Sequence, residues 1–285
     1  MTLVTIRSDG SSLLEGYRRT VGQRTLTVLE RVARRLKGHR IVMVNSTSTG
    51  GGVAEILHRL PRFYGITKTI HNTLHGWPGS LSPEDRDYFH EMNRRAAERL
   101  ALDGDLVLIH DPQPAAIVAH RRRPHQHWVW RCHIDLSRAN PEVWDFLAPE
   151  VTRYDAAVFS HVAFVPPLPI PAYLVPPSID PLSDKNRELS EEEEDALLDP
   201  LDLPSRKPWI TQVSRFDRIK DPSGVVDAFL LARKREDAHL VLAGGTADDD
   251  PEGAEVLQEV QTKVAGRNDV SVLSLPPDAH LTINA

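Results

Sequence analysis

Two runs of short apolar strand patterns, each strand followed by a helical pattern, organise this 285-residue chain, and a proline-rich then acidic stretch interrupts them. Strands that alternate with helices must cross over between successive strands, which favours a parallel sheet with helices against both faces. In the first run, residues 11–37 read as a helix. Its Leu13, Leu14, Tyr17, Val21, Val28, Leu29, Val32 and Leu36 are spaced for one buried face, and Arg34, Arg35 and Lys37 suit the negative end of its dipole. RIVMVNS follows as a strand, then the glycines Gly50, Gly51 and Gly52, then VAEILHRL as a helix. DLVLIHD (105–111), HWVWRCHID (127–135), AAVFSH (156–161) and AYLVPP (172–177) are further strands, with helices predicted from Pro114 and Pro141.

The interruption begins with PPLPIPAYLVPPSIDPLSD, which favours extended chain, and continues as NRELSEEEEDALLDPLDLP, an acidic helix or linker with a solvated face. WITQVS, HLVLAGG and DVSVLSL are the strands of the second run, separated by SGVVDAFLLARK and EGAEVLQEVQTKVAG as helices. PPDAHLTINA reads as the first turn of one more helix. The predicted fold is α/β: two Rossmann-like parallel-sheet domains facing a cleft, residues 1–170 and 171–285, the second incomplete at three strands.

Open α/β sheets bind ligands at the carboxyl edge of their strands, so the strand ends are where chemistry is sought. At WITQVSRFDRIKD (209–221) a strand runs out into a loop carrying Arg215 and Lys220. A planar fork of donors beside a compact charge can hold a departing diphosphate, or the two can be solvated surface cations. Gly51 and Gly52 follow the first strand, where glycine lets backbone N–H groups approach an anion at a helix start; a tight structural turn is the alternative. Neither the G-x-G-x-x-G fingerprint nor the G-x-x-x-x-G-K-[ST] loop is present.

His110, Asp111 and Gln113 end the second strand and can hydrogen-bond sugar hydroxyls, while Asp111 can equally cap a helix starting at Pro114. His133, after the third strand, is a donor to phosphate or sugar, or an ordinary core histidine. Since His110, His133 and Asp135 lack a ligand spacing such as H-E-x-x-H, no metal site is expected. There is no G-x-S-x-G elbow to support a serine hydrolase.

Net charge of −6 and a pI near 6.1 argue against a nucleic-acid binder. One cysteine, Cys132, excludes an internal disulfide and fits a reducing cytosol. With no signal-peptide pattern and no bilayer-length apolar run, the expectation is a cytoplasmic protein with neither membrane nor nucleic acid as partner.

The stretches VNSTSTGGGVAEIL, TKTIHNTLHG, HDPQPAA, WRCHIDLS, PPSIDPLSDKN, QVSRFD–K and DDPEG together resemble the trehalose synthases of the glycosyltransferring type. These are retaining glycosyltransferases of the GT-B fold, close to the fungal trehalose phosphorylases, and the resemblance runs in order from about residue 36 to the end. It implies glucose transfer from a nucleoside-diphosphate glucose to free glucose, forming an α,α-1,1 linkage, with no cofactor beyond the donor substrate. It also implies roles: Gly51 and Gly52 toward the donor's phosphate and sugar, His133 on the donor sugar, His110, Asp111 and Gln113 beside the acceptor, Arg215 and Lys220 on the diphosphate. No enzymic nucleophile is then required.

Two departures follow from the same resemblance. HRLPRFYGITK closes a gap where the family carries an additional strand and turn, and the chain ends before the family's E-G-F-G-L-T-V-T-E-A segment, whose glutamates bind the donor's sugar and ribose. The chain is therefore expected to be weakly active or inactive alone, and a homodimer or a complementing C-terminal chain is left open as partner. Trehalose phosphorolysis and a non-catalytic sugar- or nucleotide-binding remnant stand as alternatives; a nicotinamide oxidoreductase lacks its fingerprint.

Overall fold

A computed structural model describes residues 10–45, 61–204, 207–245, 251–276 and 278–285, and the chain divides into two compact units, Met1–Ser178 and Ile179–Ala285. The glycine run Gly50–Gly52 and the VAEILHRL segment lie outside the described residues.

The first unit contains α1 (Gly10–Arg35), β1 (Ile41–Val44), α2 (Pro61–Leu74), α3 (Pro83–Arg99), β2 (Leu106–His110), a 3₁₀ turn (Ala115–Ile117) running into the short α4 (Val118–Arg121), β3 (His127–Arg131), α5 (Pro141–Val151), β4 (Ala156–Phe159) and β5 (Ala172–Leu174). The five strands pair in the order β1-β2-β3-β4-β5, all parallel. Period-2 alternation decides which side chains face the helices. Val107, Ile109, Trp128, Trp130, Ala157 and Phe159 are fully buried and share one cluster with Phe63, Ile70 and Leu74 of α2, Phe89 and Met92 of α3, and Val143 and Leu147 of α5. Each large apolar side chain so buried contributes about 1.5–3 kcal/mol.

Helices α2 and α3 are additions to the pattern legible in the sequence. α3 begins with Ser82 accepting from Asp85 N–H at 3.1 Å, Pro83 in its first turn, and Glu84 and Asp85 complementing its positive end. α5 starts likewise, with Asn140 Oδ1 accepting from Glu142 N–H at 2.9 Å ahead of Pro141.

Among the described residues, α2, α3 and α5 pack in one cluster with the alternate strand residues named above, while Ile41, Met43 and Tyr173 are exposed, Met43 by 62%. The helix predicted to follow β1 lies outside the described residues. The buried stripe expected of residues 11–37 is corrected. The helix forms, but it is broken at Gly22 (φ 77°, ψ 156°), a backbone that favours glycine. Leu14, Val21, Val28, Leu29, Val32 and Leu36 are exposed, while Leu26 is buried. Helical spacing specifies a stripe and not the layer that would cover it.

The second unit contains α6 (Glu191–Leu198), β6 (Trp209–Val213), α7 (Pro222–Ala232), β7 (His239–Gly244), α8 (Pro251–Lys263), β8 (Val270–Ser274) and α9 (His280–Asn284). The acidic α6 carries a reciprocal cap between Ser190 and Glu193. Its three strands pair in the order β6-β7-β8, again all parallel. Every residue of the central β7 is buried, whereas Trp209, Ile210 and Val213 of the edge strand β6 are exposed. Phe216, Val226, Phe229, Leu240, Leu242, Val256 and Val260 form its core. Gly244 is required by close approach: a Cβ there would collide with the Ser214 carbonyl.

The two faces of the first sheet predict different sensitivities. Leu147→Ala is expected to cost about 2–5 kcal/mol and Met43→Ala no more than about 0.5 kcal/mol, read from urea denaturation. Equal losses at the two positions would show that both faces are covered.

Candidate functional site

At the carboxyl edge of the first sheet the backbone turns at Asp111, which has φ 66° although it is not glycine. A left-handed backbone at such a residue costs on the order of 1–3 kcal/mol and persists only where the surroundings hold it. Three contacts do so. The Asp111 N–H donates to the Arg131 carbonyl at 2.8 Å, its carbonyl accepts from Trp130 Nε1 at 2.9 Å, and its Oδ1 accepts from the His133 N–H at 3.0 Å. The capping use of Asp111 is thereby replaced. The turn that follows has no side-chain cap, and the carboxylate is tied to the next strand's exit instead.

His110 and His133 stack with ring centroids 5.3 Å apart and planes 12° from parallel, and His110 Nδ1 meets His133 Nε2 at 3.0 Å. One of these nitrogens donates and the other accepts, so the facing pair shares one proton. His110 Nε2 is buried without a partner. Burial, then the neighbouring His133 and Arg131, pull the His110 pKa down to about 4, so at neutral pH the ring is uncharged and its Nε2 is free for a ligand. Burial also raises the carboxyl of Asp111, against the lowering by the His133 N–H and by the nearby positive groups.

Gln113 lies just past the turn. Its carbonyl accepts from Asn93 Nδ2 at 3.1 Å, and its Oε1 is buried without a partner. Asn93, 2% exposed, also donates to the Phe89 carbonyl at 3.0 Å, so α3 fixes this loop. The sequence reading missed Asn93; its signal is a polar side chain among Phe89, Met92, Ala96 and Ala97 on the buried stripe of α3. His110, Asp111 and His133 thus come together and Gln113 is held close by, whereas Gly51 and Gly52 lie outside the described residues. Asp135 is occupied locally, accepting from the Ser137 N–H at 2.8 Å. Among the described residues no group of three or more His, Cys, Asp and Glu is arranged to hold a metal ion.

In the second unit the loop after β6 sorts its cations. Arg218 is held by Glu259 through two hydrogen bonds of 2.8 and 3.0 Å, with Glu252 and Glu255 each 3.8 Å away. Arg215 is exposed and has a looser contact, 3.5 Å, to the buried Asp217. Lys220 is also exposed, and its carbonyl accepts from Gln212 Nε2 at 2.8 Å, which fixes the loop against its own strand. Asp217 Oδ1 accepts from the Ile219 N–H at 2.8 Å, and Phe216 is buried beneath. A buried aromatic and an internal cap therefore shape a loop whose remaining cations stay in solvent.

The chain is similar over most of its length to proteins of one family. Residues 60–166 match the family model described as trehalose synthase, N-terminal domain. The trehalose synthase of Rubrobacter xylanophilus is 37% identical over 294 residues, covering 94% of this chain and 71% of that protein. The chain belongs to the trehalose synthase family. The Pyrococcus horikoshii trehalose synthase is 39% identical, with 70% of its length covered, and a trehalose phosphorylase of Pleurotus pulmonarius is 26% identical, with 46% covered. Among solved structures, the apo form of OtsA superposes with a TM-score of 0.60 at 14% identity, covering 86% of this chain and 74% of that one. Anabaena HepE in complex with UDP and glucose superposes with a TM-score of 0.53 at 13% identity. These likenesses show the GT-B fold expected from the sequence. The chain is a glycosyltransferase-type enzyme of trehalose-related glycosyl transfer. No described helix is long and apolar enough to cross a membrane.

His110 makes the site acid-sensitive. Its folded-state pKa lies below the ordinary value of 6.5, so it contributes stability that is present above that value and is lost as pH falls toward 4. Thermal melts from pH 7 to 4 are expected to fall less steeply in His110→Asn than in the wild type. An unchanged slope would show that His110 is not buried neutral.

Proposed function

We propose that this trehalose synthase family member transfers glucose, with retention, from a nucleoside-diphosphate glucose to free glucose, forming trehalose. The observation that carries the reading is the sorting of cations after β6: Arg218 is consumed by glutamates, while Arg215 and Lys220 remain exposed on a loop that is otherwise locked. As the bond between the glucosyl C1 and the diphosphate oxygen breaks, charge develops on the leaving group. A guanidinium and an ammonium ion without a tight carboxylate partner are suited to hold it. The acceptor's C1 hydroxyl forms the new bond, and its proton passes to the departing phosphate oxygen, so no nucleophile from the chain and no cofactor beyond the donor is needed.

His133 contacts the donor sugar in this reading, and His110, Asp111 and Gln113 hold the acceptor glucose. The buried, unpartnered His110 Nε2 and Gln113 Oε1 support that assignment, since a polyol supplies both donors and acceptors. Gly51 and Gly52 approach the donor's phosphate. The unpaired, buried Cys132, whose thiol burial pushes well up, supports a reducing cytoplasm as location. Likeness over 94% of the chain to the Pleurotus trehalose phosphorylase favours phosphorolysis of trehalose as the second reading.

Incubating the chain with glucose and each nucleoside-diphosphate glucose is expected to release trehalose and the nucleoside diphosphate, slowly if the chain works alone. Glucose 1-phosphate from trehalose and phosphate, with no trehalose from any sugar nucleotide, would establish the second reading instead. In Arg215→Ala, turnover is expected to fall about 10–100-fold with little change in KM for glucose. A raised KM at unchanged turnover would remove Arg215 from the leaving group.

A further inference from the structure

Arg131, the last residue of β3, has no role in the reading so far. It is 8% exposed, its Nη2 donates to Ser160 Oγ at 3.2 Å, and its Nη1 is buried without a partner. A guanidinium carries five N–H donors and a full charge, and burying it beside one neutral hydroxyl leaves most of that need unmet. Buried arginines are ordinarily paired with carboxylates. Here Arg267 supplies the contrast: it grips the buried Asp269 through two hydrogen bonds of 2.8 and 2.9 Å. No carboxylate among the described residues pairs with Arg131 in that way.

Its place in the sheet says what the unmet donors face. Arg131 is the register partner of His110, and register partners on neighbouring parallel strands project from the same face. Two unpartnered, buried nitrogens, His110 Nε2 and Arg131 Nη1, therefore stand on adjacent strand ends. Asp111 follows directly, close enough for its carboxyl to respond to the Arg131 charge.

We infer that Arg131 is a further sugar-binding residue of this edge, donating to a hydroxyl oxygen of a neutral hexose that also contacts His110. A neutral polyol fits better than a phosphorylated sugar: it can donate to the Asp111 carboxylate while accepting from Arg131, whereas a phosphate dianion beside Arg131 would meet Asp111 as a like charge. The inference rests on the reading of the first unit as the acceptor side and adds the residue that selects an uncharged acceptor.

The test is an NMR titration of the full chain with glucose, with each monodeoxyglucose and with glucose 6-phosphate. Wild type, Arg131→Met and Arg131→Lys are compared, with near-ultraviolet circular dichroism of the tryptophans reporting the fold. Arg131→Met is expected to weaken glucose binding about tenfold or more, with Arg131→Lys intermediate. For one deoxy sugar the losses must not add, because the missing hydroxyl and the missing guanidinium belong to one contact. Should Arg131→Met not fold, Arg131→Lys against the same deoxy series carries the comparison.

Additive losses for every deoxy sugar, or unchanged glucose affinity in a folded variant, would overturn the role of Arg131 and leave the proposed function standing. Tighter binding of glucose 6-phosphate than of glucose would overturn the neutral ligand. A wild-type chain that binds no hexose would overturn this inference together with the acceptor reading.

Discussion

Every strand pairing among the described residues is parallel, and the placing of the candidate site residues depends on that constraint. In a parallel sheet all strands leave by the same edge, so residues far apart in the chain arrive side by side without any local signal joining them. His110 and His133 are such a case: the register that sets His110 against Arg131 brings the two imidazoles into contact. Most of the crossovers return the chain through a helix, and those helices supply the burial that holds the strands. The site and the core are thus two consequences of one pairing.

The edge is built by fixing backbone firmly and leaving side-chain atoms unspent. Around Asp111 the N–H, the carbonyl and the carboxylate are all engaged, and Trp130 contributes an indole N–H as well as a buried ring. Beside them His110 Nε2, Gln113 Oε1 and Arg131 Nη1 are buried with nothing to bond. A stable interior normally satisfies such groups. Their position after two adjacent strands is what supports the proposed sugar site. The second unit shows a related economy in charge, where glutamates on α8 hold Arg218 and leave its neighbours in solvent.

Much of the fold was legible in the amino-acid order because hydrophobic periodicity is a local property. The strand at DLVLIHD, the strand at HWVWR, the acidic helix after Ser190 and the three strands of the second unit all follow from spacing and turn residues. The candidate site residues His110, Asp111 and His133 were picked out too, as polar groups placed where an apolar strand gives out, and the structure brings them together. Other features were not. The stripe on α1 predicted burial, yet Val28 and Leu29 are exposed, because spacing cannot say whether another layer lies against it. Asp111 before a proline had the look of a cap, and the contact that claimed its carboxylate instead comes from His133, 22 residues further on. Asn93 escaped notice since its partner, the Gln113 carbonyl, belongs to a different segment.

The order of residues by itself determined the element types, the parallel α/β class and the family, since each rests on short-range pattern or on runs of matching letters. Tertiary structure alone decided which polar atoms are satisfied and which are left over. That distinction depends on distance between strands, and a hydrogen bond is made or lost within a few tenths of an ångström. No pattern along the chain reports that His110 has one nitrogen occupied and the other free, or that Arg131 is buried without its carboxylate.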